Sequence, residues 1–441
     1  MPKDKGEELQ QRVVRSHSAC VGSPLKEDEV RAAMLLRANT LAKGYSAVRL
    51  DVVDMLIKML NRGVCPVVYE KGSLGASGDL APLAHIALVM MGEGMALYHG
   101  EEMSGADALK RAGLKPIALS FKEGLALING SQVFTAVGLL CLHDALLAVK
   151  NAQVITALTL TALDAIADAF DERVHRLRPY LGQMNVAANL RALMGEKLRM
   201  QKSTGEKVQD AYSLRCYPQI VGPTVDALEY AKKQVEIEIN SALDNPLFFP
   251  ENGDYVSCGN FHGQSIALVL DYLSIALSEV ANVSERHINR LLNSKLSGLP
   301  PFLTKEEGLN SGLMMAQYTA ASLVSENKVL SHPASVDSIP VSADQEDHVS
   351  MGPIAARKLR EIVRNVNYVL AIELMCAAQA LEFCDRERLS RGVSAAYETV
   401  RRIVPPLKED RVLHDDIVKL YNMLGEGTLL ENVEAVVGPL R

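Results

Sequence analysis

The chain has 441 residues, of which 48% are hydrophobic, and its formal net charge is −7 from 46 basic and 53 acidic side chains. This length allows large hydrophobic cores and corresponds to two or three domains. Because no basic block stands out, we expect neither nucleic acid nor an anionic membrane surface as a partner.

Cysteine use and the apolar runs indicate the compartment. The seven cysteines form no C-x-x-C pair, which favours reduced thiols in a cytoplasmic protein. The segment Met1–Gln11 is charged from its third residue, so no signal peptide is expected. The longest apolar run, Ala152–Leu163, ends at charges on both sides, and a transmembrane helix needs roughly 20 apolar residues. We therefore expect no membrane association.

Apolar periodicity predicts mostly helices along the chain. In the first part we predict helices at 7–19, 26–44, 48–62, 80–91 and 107–113, and a hairpin at 93–105. Further on we predict long helices at 132–150, 153–170, 222–241, 312–330 and 355–383, and one long helix or two at 262–293. We also predict a hairpin at 247–257, a loop at 331–352, a further helix that ends at Pro405-Pro406, and a last helix from Asp415. The predicted fold is mainly α, with a mixed N-terminal part at 1–128 and a long-helix bundle at 129–441.

A small, polar and glycine-rich segment, Gly72–Leu83, lies between two apolar segments. Its three glycines, spaced by three residues, permit a tight turn and the close approach of other groups. Asp79 is a good N-cap for the helix that follows from Leu80. On this pattern alone, the segment is a loop that leads into a helix. It is not a phosphate loop, because no Lys-Ser or Lys-Thr follows its last glycine.

The tripeptide Ala76-Ser77-Gly78 also permits a cyclisation. The amide nitrogen of Gly78 has no side chain beside it and can attack the carbonyl carbon of Ala76. Loss of one water closes a five-membered ring, and loss of the Ser77 hydroxyl as a second water leaves an exocyclic methylidene. The product is an electrophile made from the chain itself.

The longer string Gly75–His85 resembles the signature of the aromatic amino acid ammonia-lyases, which carry this ring as 4-methylidene-imidazol-5-one (MIO). Four polar clusters resemble matching segments of that family in the same order: Asn129-Gly130-Ser131, Gln209–Arg215, Asn260-Phe261-His262 and Gln345–His348. The resemblance extends from about Leu9 to the C-terminus. It implies the helical ammonia-lyase fold, which is similar to that of fumarase and aspartase.

The resemblance also implies a role for each candidate site residue. Ala76, Ser77 and Gly78 would form MIO, with no external cofactor and no metal. Arg215 would pair with the substrate carboxylate, and Asn129 and Gln209 would support the MIO ring or that carboxylate. Tyr212 would stand beside the electrophile as a proton carrier or stabiliser. Phe261 would pack against the ring.

Two local features favour L-histidine as the substrate within this family. Ser16-His17 takes the place of pairs such as Phe-Leu or His-Leu in the phenylalanine- and tyrosine-specific enzymes, and Gln345-Glu346 takes the place of Asn-Gln. His17 and Glu346 would hold the imidazole, and Glu346 would also serve as a base. The expected reaction is elimination of ammonia to give trans-urocanate, the first step of histidine degradation, by a homotetramer built on its long helices.

One departure from the family keeps alternatives open. Family chains usually begin several dozen residues earlier with a Tyr-Gly-x-Asn-Thr-Gly-Phe-Gly segment, whose tyrosine is the expected catalytic base, and no tyrosine here precedes Tyr45. The chain by itself is therefore expected to have little turnover, and a chain extended upstream far more. A tyrosine or phenylalanine lyase or aminomutase is one alternative, and a lyase-fold scaffold without turnover is another.

Overall fold

The computed structural model describes residues 5–195, 208–306, 308–385, 387 and 389–441. The chain forms two compact units that are each discontinuous in sequence. The first contains residues 1–141, 231–271 and 333–360, and the second contains 142–230, 272–332 and 361–441. The division at residue 128 stays a prediction about domain bounds.

Short helices and strands make up the first unit. Its helices are α1 (Gly6–His17), α2 (Glu27–Ala42), α3 (Leu50–Asn61), α4 (Leu80–Met90), α5 (Gly105–Arg111) and α6 (Glu123–Ile128). Its strands are β1 (Val21–Pro24), β2 (Val64–Pro66), β3 (Tyr69–Lys71), β4 (Met95–Tyr98), β5 (Glu101–Ser104), β6 (Leu247–Phe249) and β7 (Asp254–Val256). The predicted helices of this part are confirmed, with ends that shift by a few residues.

Both predicted hairpins are confirmed. Strands β4 and β5 pair in antiparallel fashion with Met95 opposite Ser104, and β6 and β7 pair with Leu247 opposite Val256. The sequence did not predict that β1 pairs with β3 or that β2 pairs with β4. These strands have only three or four residues, and their partners are distant in sequence, so no turn signal links them.

Four long helices contribute residues to both units: α7 (Gln132–Ala162), α11 (Tyr217–Ile239), α12 (Gln264–Leu292) and α15 (Gly352–Ala380). The prediction of two helices at 132–150 and 153–170 was wrong, because α7 is one helix of 31 residues followed by a 3-10 turn, Ala167–Phe170. No glycine or proline separates the two predicted halves, so nothing interrupts the helix.

The second unit is helical. Its remaining helices are α8 (Glu172–Arg176), α9 (Leu181–Met194), α10 (Tyr212–Arg215), α13 (Ser294–Ser297), α14 (Met314–Leu330), α16 (Arg391–Arg401), α17 (Leu413–Gly425) and α18 (Thr428–Val437). The sequence predicted one last helix from Asp415, whereas the structure has two. Gly427 adopts a left-handed conformation with φ of 79°, which separates α17 from α18.

Three helices are long and apolar enough to cross a membrane, by length and composition alone: Gln132–Ala162, Gln264–Leu292 and Gly352–Phe383. The interrupted runs in the sequence did not predict this, because a helix of this length includes a few polar residues within its apolar window. In the most apolar window of each helix, taken in the same order, 67%, 61% and 78% of the residues are buried inside the protein. That burial is typical of core helices, and the absence of membrane association stays a prediction.

Candidate active site

The tripeptide Ala76-Ser77-Gly78 lies in a tight loop of the first unit, between β3 and α4. Gly78 has φ of 71° and forms a parallel bridge with Gly130. A Cβ atom at Gly78 would lie 2.4 Å from the carbonyl carbon of Gly130, so only glycine fits there. The Asp79 amide donates to the Gly130 carbonyl oxygen at 2.7 Å. Backbone contacts thus hold the Ala76-Ser77-Gly78 loop against the segment that contains Gly130.

Asp79 anchors this loop in a way the sequence did not predict. It occupies the N-cap position of α4, but its side chain does not cap that helix. Instead, Asp79 Oδ2 accepts hydrogen bonds from the amides of Val133 and Phe134, at 2.8 and 2.9 Å, in the first turn of α7. Burial raises the pKa of Asp79 to about 7, and the two amide donors act in the opposite direction.

Asn129 is held beside this loop by a buried arginine. Arg37, only 1% exposed, donates through Nη1 to the carbonyl oxygens of Asn129 and Leu243 at 3.0 Å, and through Nη2 to that of Ala126. Burial lowers the pKa of Arg37 to about 10. The side-chain Oδ1 of Asn129 is buried and has no hydrogen-bond partner, so it is available to a group formed in the adjacent loop.

Glu346 contacts the central residue of the tripeptide. The Ser77 hydroxyl donates to Glu346 Oε1 at 2.5 Å, although the two residues are 269 positions apart. The chain just beyond Glu346 is fixed to the same loop, because the Met351 amide donates to the Leu74 carbonyl oxygen at 2.9 Å and the Ser350 hydroxyl to that of Gly75 at 3.2 Å. The segment therefore places a carboxylate at Ser77.

His17 ends α1 with a defined hydrogen bond. Its Nδ1 lies 2.8 Å from the Val13 carbonyl oxygen. Nδ1 also lies 3.0 Å from the Ser16 Oγ. When Nδ1 donates to the Val13 carbonyl oxygen, the Nε2 of a neutral ring is an acceptor. Four residues later, Val21 of β1 pairs with Lys71 of β3, which brings this part of the chain to the start of the Gly72–Leu83 loop.

Phe261 lies half-buried in the segment before α12. The neighbouring Gly263 packs directly on the ring of Phe134, whose amide is bound by Asp79. In addition, His262 Nε2 lies 3.3 Å from Nδ1 of His348, two residues beyond Glu346. The Phe261 segment is thereby tied to both the Asp79 anchor and the Glu346 segment.

Gln209, Tyr212 and Arg215 belong to the second unit. Gln209 and Tyr212 are exposed, and Tyr212 keeps 69% of its surface. The guanidinium carbon of Arg215 lies 4.7 Å from the centre of the Tyr212 ring, a cation–π contact. Arg215 Nε is buried without a hydrogen-bond partner. The roles assigned to these residues and to those of the first unit stay predictions.

Metal ligation was not expected from the sequence. Among the residues that the structure describes, no group of three or more His, Cys, Asp or Glu side chains could hold a metal ion. All seven cysteines are free thiols.

The fold is similar to those of solved ammonia-lyases and aminomutases. A crystal structure of histidine ammonia-lyase from Trypanosoma cruzi is 43% identical with a TM-score of 0.93, over 99% of this chain and 83% of that one. A tyrosine aminomutase from Streptomyces globisporus is also 43% identical, with a TM-score of 0.94, over 100% of this chain and 88% of that one.

The sequence matches are more specific. The family model for aromatic amino acid lyase matches residues 1–402. A histidine ammonia-lyase from Alkaliphilus oremlandii is 56% identical over 435 residues, which cover 99% of this chain and 86% of that protein. The chain belongs to the aromatic amino acid lyase family, and its relatives indicate a carbon–nitrogen lyase.

Proposed function

We propose that this protein is a histidine ammonia-lyase that converts L-histidine to trans-urocanate and ammonia. The observation that carries the proposal is the contact between Ser77 and the Glu346 carboxylate in a chain 56% identical to a histidine ammonia-lyase. A carboxylate at this place suits an imidazole, which has a polar N–H, whereas a phenyl ring would leave it without a partner.

We also propose that Ala76-Ser77-Gly78 cyclises to MIO. The loop suits this group because Gly78 is free of side chain and confined by Gly130, and because the buried Oδ1 of Asn129 has no other partner. When formed, MIO supplies an electrophile that activates the substrate for loss of its amine.

Three residues of this chain have proposed roles in binding the substrate and in accepting a proton. Arg215 binds the substrate carboxylate, for which the forked guanidinium is suited. The Nε2 of His17 accepts a hydrogen bond from the imidazole N–H. Glu346 is a carboxylate beside Ser77, where it contacts the imidazole and can accept a proton. The Cβ–H and Cα–N bonds of the substrate break, the Cα–Cβ double bond forms, and ammonia leaves.

A homotetramer is part of the proposal. Helix α12 exposes three large apolar side chains at positions i, i+4 and i+7, namely Leu268, Tyr272 and Ile275, with 53%, 45% and 47% of their surface accessible. An apolar stripe on the outside of a long helix is typical of a surface that another subunit covers.

A second candidate function is that of a tyrosine aminomutase. The tyrosine aminomutase from Streptomyces globisporus and the histidine ammonia-lyase from T. cruzi are both 43% identical to this chain. The variant Glu346→Gln separates the two. If the Glu346 carboxylate binds the imidazole of the substrate, this variant loses affinity for L-histidine but keeps its affinity for L-tyrosine. Unchanged L-histidine affinity would contradict the proposed role of Glu346.

Cyclisation is tested by the intact mass of the purified chain. We expect a mass lower than the encoded one by two water molecules, whereas Ser77→Ala, which lacks the leaving hydroxyl, should keep the mass calculated for its sequence. A full encoded mass for the unsubstituted chain would rule out MIO.

A further inference from the structure

A buried histidine and glutamate hold the turn that carries Tyr212 and Arg215. Both lie in the second unit, where His287 is 0% and Glu373 1% exposed. His287 Nδ1 lies 2.7 Å from Glu373 Oε1, and its Nε2 lies 2.8 Å from the carbonyl oxygen of Ser213. Ser213 is the second residue of α10, so this contact fixes the backbone between Tyr212 and Arg215.

The partners of His287 decide where its hydrogens are. The Ser213 carbonyl only accepts, so Nε2 must donate to it. Glu373 is surrounded by donors, because it also receives the hydroxyl groups of Thr159 at 2.8 Å and Ser284 at 2.6 Å. The pair thus acts as a fixed donor aimed at one backbone carbonyl.

A second buried acid fixes the same segment on its other side. Asp210 Oδ2 accepts a hydrogen bond from the Ile166 amide at 2.6 Å. The ring of Tyr217, which follows α10, stacks on His287 with a centroid distance of 5.8 Å. The backbone is therefore anchored before and after Tyr212, while the Arg215 guanidinium keeps a buried Nε without a partner. A carboxylate ligand would supply the partner that this buried donor lacks.

We propose that His287, supported by Glu373, is a positioning residue that orients Arg215 for the carboxylate of the substrate. The inference rests on the proposed function, in which Arg215 binds that carboxylate. His287 acts only through the Ser213 carbonyl. Loss of this hydrogen bond frees the α10 turn and misplaces the guanidinium, because a bidentate pair depends on geometry more than a single contact does. Binding of the imidazole end of the substrate is unaffected.

The test compares two ligands that differ at the carboxylate. All proteins carry Ser77→Ala, so that L-histidine is bound and not consumed, and Kd is measured by calorimetric titration. L-Histidinol has a hydroxymethyl group in place of the carboxylate and reports on the imidazole end. His287→Phe keeps a ring against Tyr217 and removes both hydrogen bonds. We expect it to raise the Kd of L-histidine about tenfold or more and that of L-histidinol by less than about twofold.

Asn365→Ala is the matched control for a general loss of stability. Asn365 is also buried on α15, and its side chain donates to Glu326 and Asn327 within the second unit. We expect this variant to melt at a lower temperature with an unchanged ratio of the two Kd values. His287→Gln keeps one donor for Ser213 and should recover part of the L-histidine affinity, and it carries the comparison if His287→Phe does not fold.

The outcomes separate the two claims. Equal weakening of both ligands in His287→Phe, or the same change of ratio in Asn365→Ala, overturns the positioning role alone. If the Ser77→Ala parent binds L-histidine no better than L-histidinol, Arg215 does not recognise a carboxylate, and the proposed function fails together with the inference.

Discussion

Replacing Arg37 by methionine tests how the ring-forming loop is held. Arg37 is buried and donates to three backbone carbonyls, those of Ala126, Asn129 and Leu243. Methionine fills much of the space but donates nothing, and each buried acceptor left without a partner costs about 1–3 kcal/mol. Part of this cost is offset, because a buried guanidinium is itself unfavourable, as the lowering of the Arg37 pKa to about 10 by burial shows. We expect a net destabilisation of about 2–5 kcal/mol.

The same substitution should impair cyclisation. Gly130 follows Asn129 and holds Gly78 and Asp79, so a loosened Asn129 lets the tripeptide leave its bent conformation. The assay is intact mass combined with the thermal unfolding midpoint. Arg31→Met is the control, since Arg31 lies on the same helix and donates to only one carbonyl, that of Leu60. An Arg37→Met protein with the parent's melting temperature and complete loss of two waters would refute this reasoning.

Three further predictions concern pH, specificity and assembly. Burial raises the pKa of Asp79 from 3.8 to about 7, so the folded chain binds this proton more tightly than the unfolded chain and loses stability as pH rises through that window. In denaturant titrations, the free energy of unfolding of Asp79→Asn should therefore rise by about 2–3 kcal/mol relative to that of the parent between pH 5 and pH 8. The same pH dependence in both proteins would contradict a raised pKa for Asp79. Replacing Ser16-His17 by Phe-Leu should lower turnover of L-histidine by about 1–3 kcal/mol in transition-state stabilisation, measured as kcat/KM, and an unchanged kcat/KM would remove His17 from the site. Light scattering at micromolar concentration should show a tetramer that Tyr272→Glu dissociates, and a monomeric parent would rule out the assembly.

Local sequence patterns predicted most of the helices and both hairpins. These elements depend on residues a few positions apart, as in the hairpin at 247–257, whose two strands are separated by only four residues. The contacts of the Asp79 side chain could not be predicted from local patterns. Its type and position predicted an N-cap for α4, whereas the structure uses the carboxylate for the amides of Val133 and Phe134, more than fifty residues away. Which helix a capping side chain serves depends on tertiary packing.

The candidate site was predictable only in part. The tripeptide Ala76-Ser77-Gly78 carries its own chemical signal, but the partner of Ser77 does not, since Glu346 is 269 residues away. Glu346 was proposed from the family resemblance and not from spacing. Arg37 and His287 were missed altogether, because one arginine or histidine inside a helical pattern gives no signal of what its side chain contacts.

The most direct test of the central claim is a comparison of L-histidine, L-tyrosine and L-phenylalanine with one preparation whose loss of two waters has been verified. Each amino acid is supplied at the same concentration, and the conjugated product is followed by ultraviolet absorbance, with β-tyrosine measured separately by chromatography. We predict that trans-urocanate forms from L-histidine faster than any product forms from the other two, even where turnover is slow. Faster conversion of L-tyrosine or L-phenylalanine would contradict the assignment to histidine.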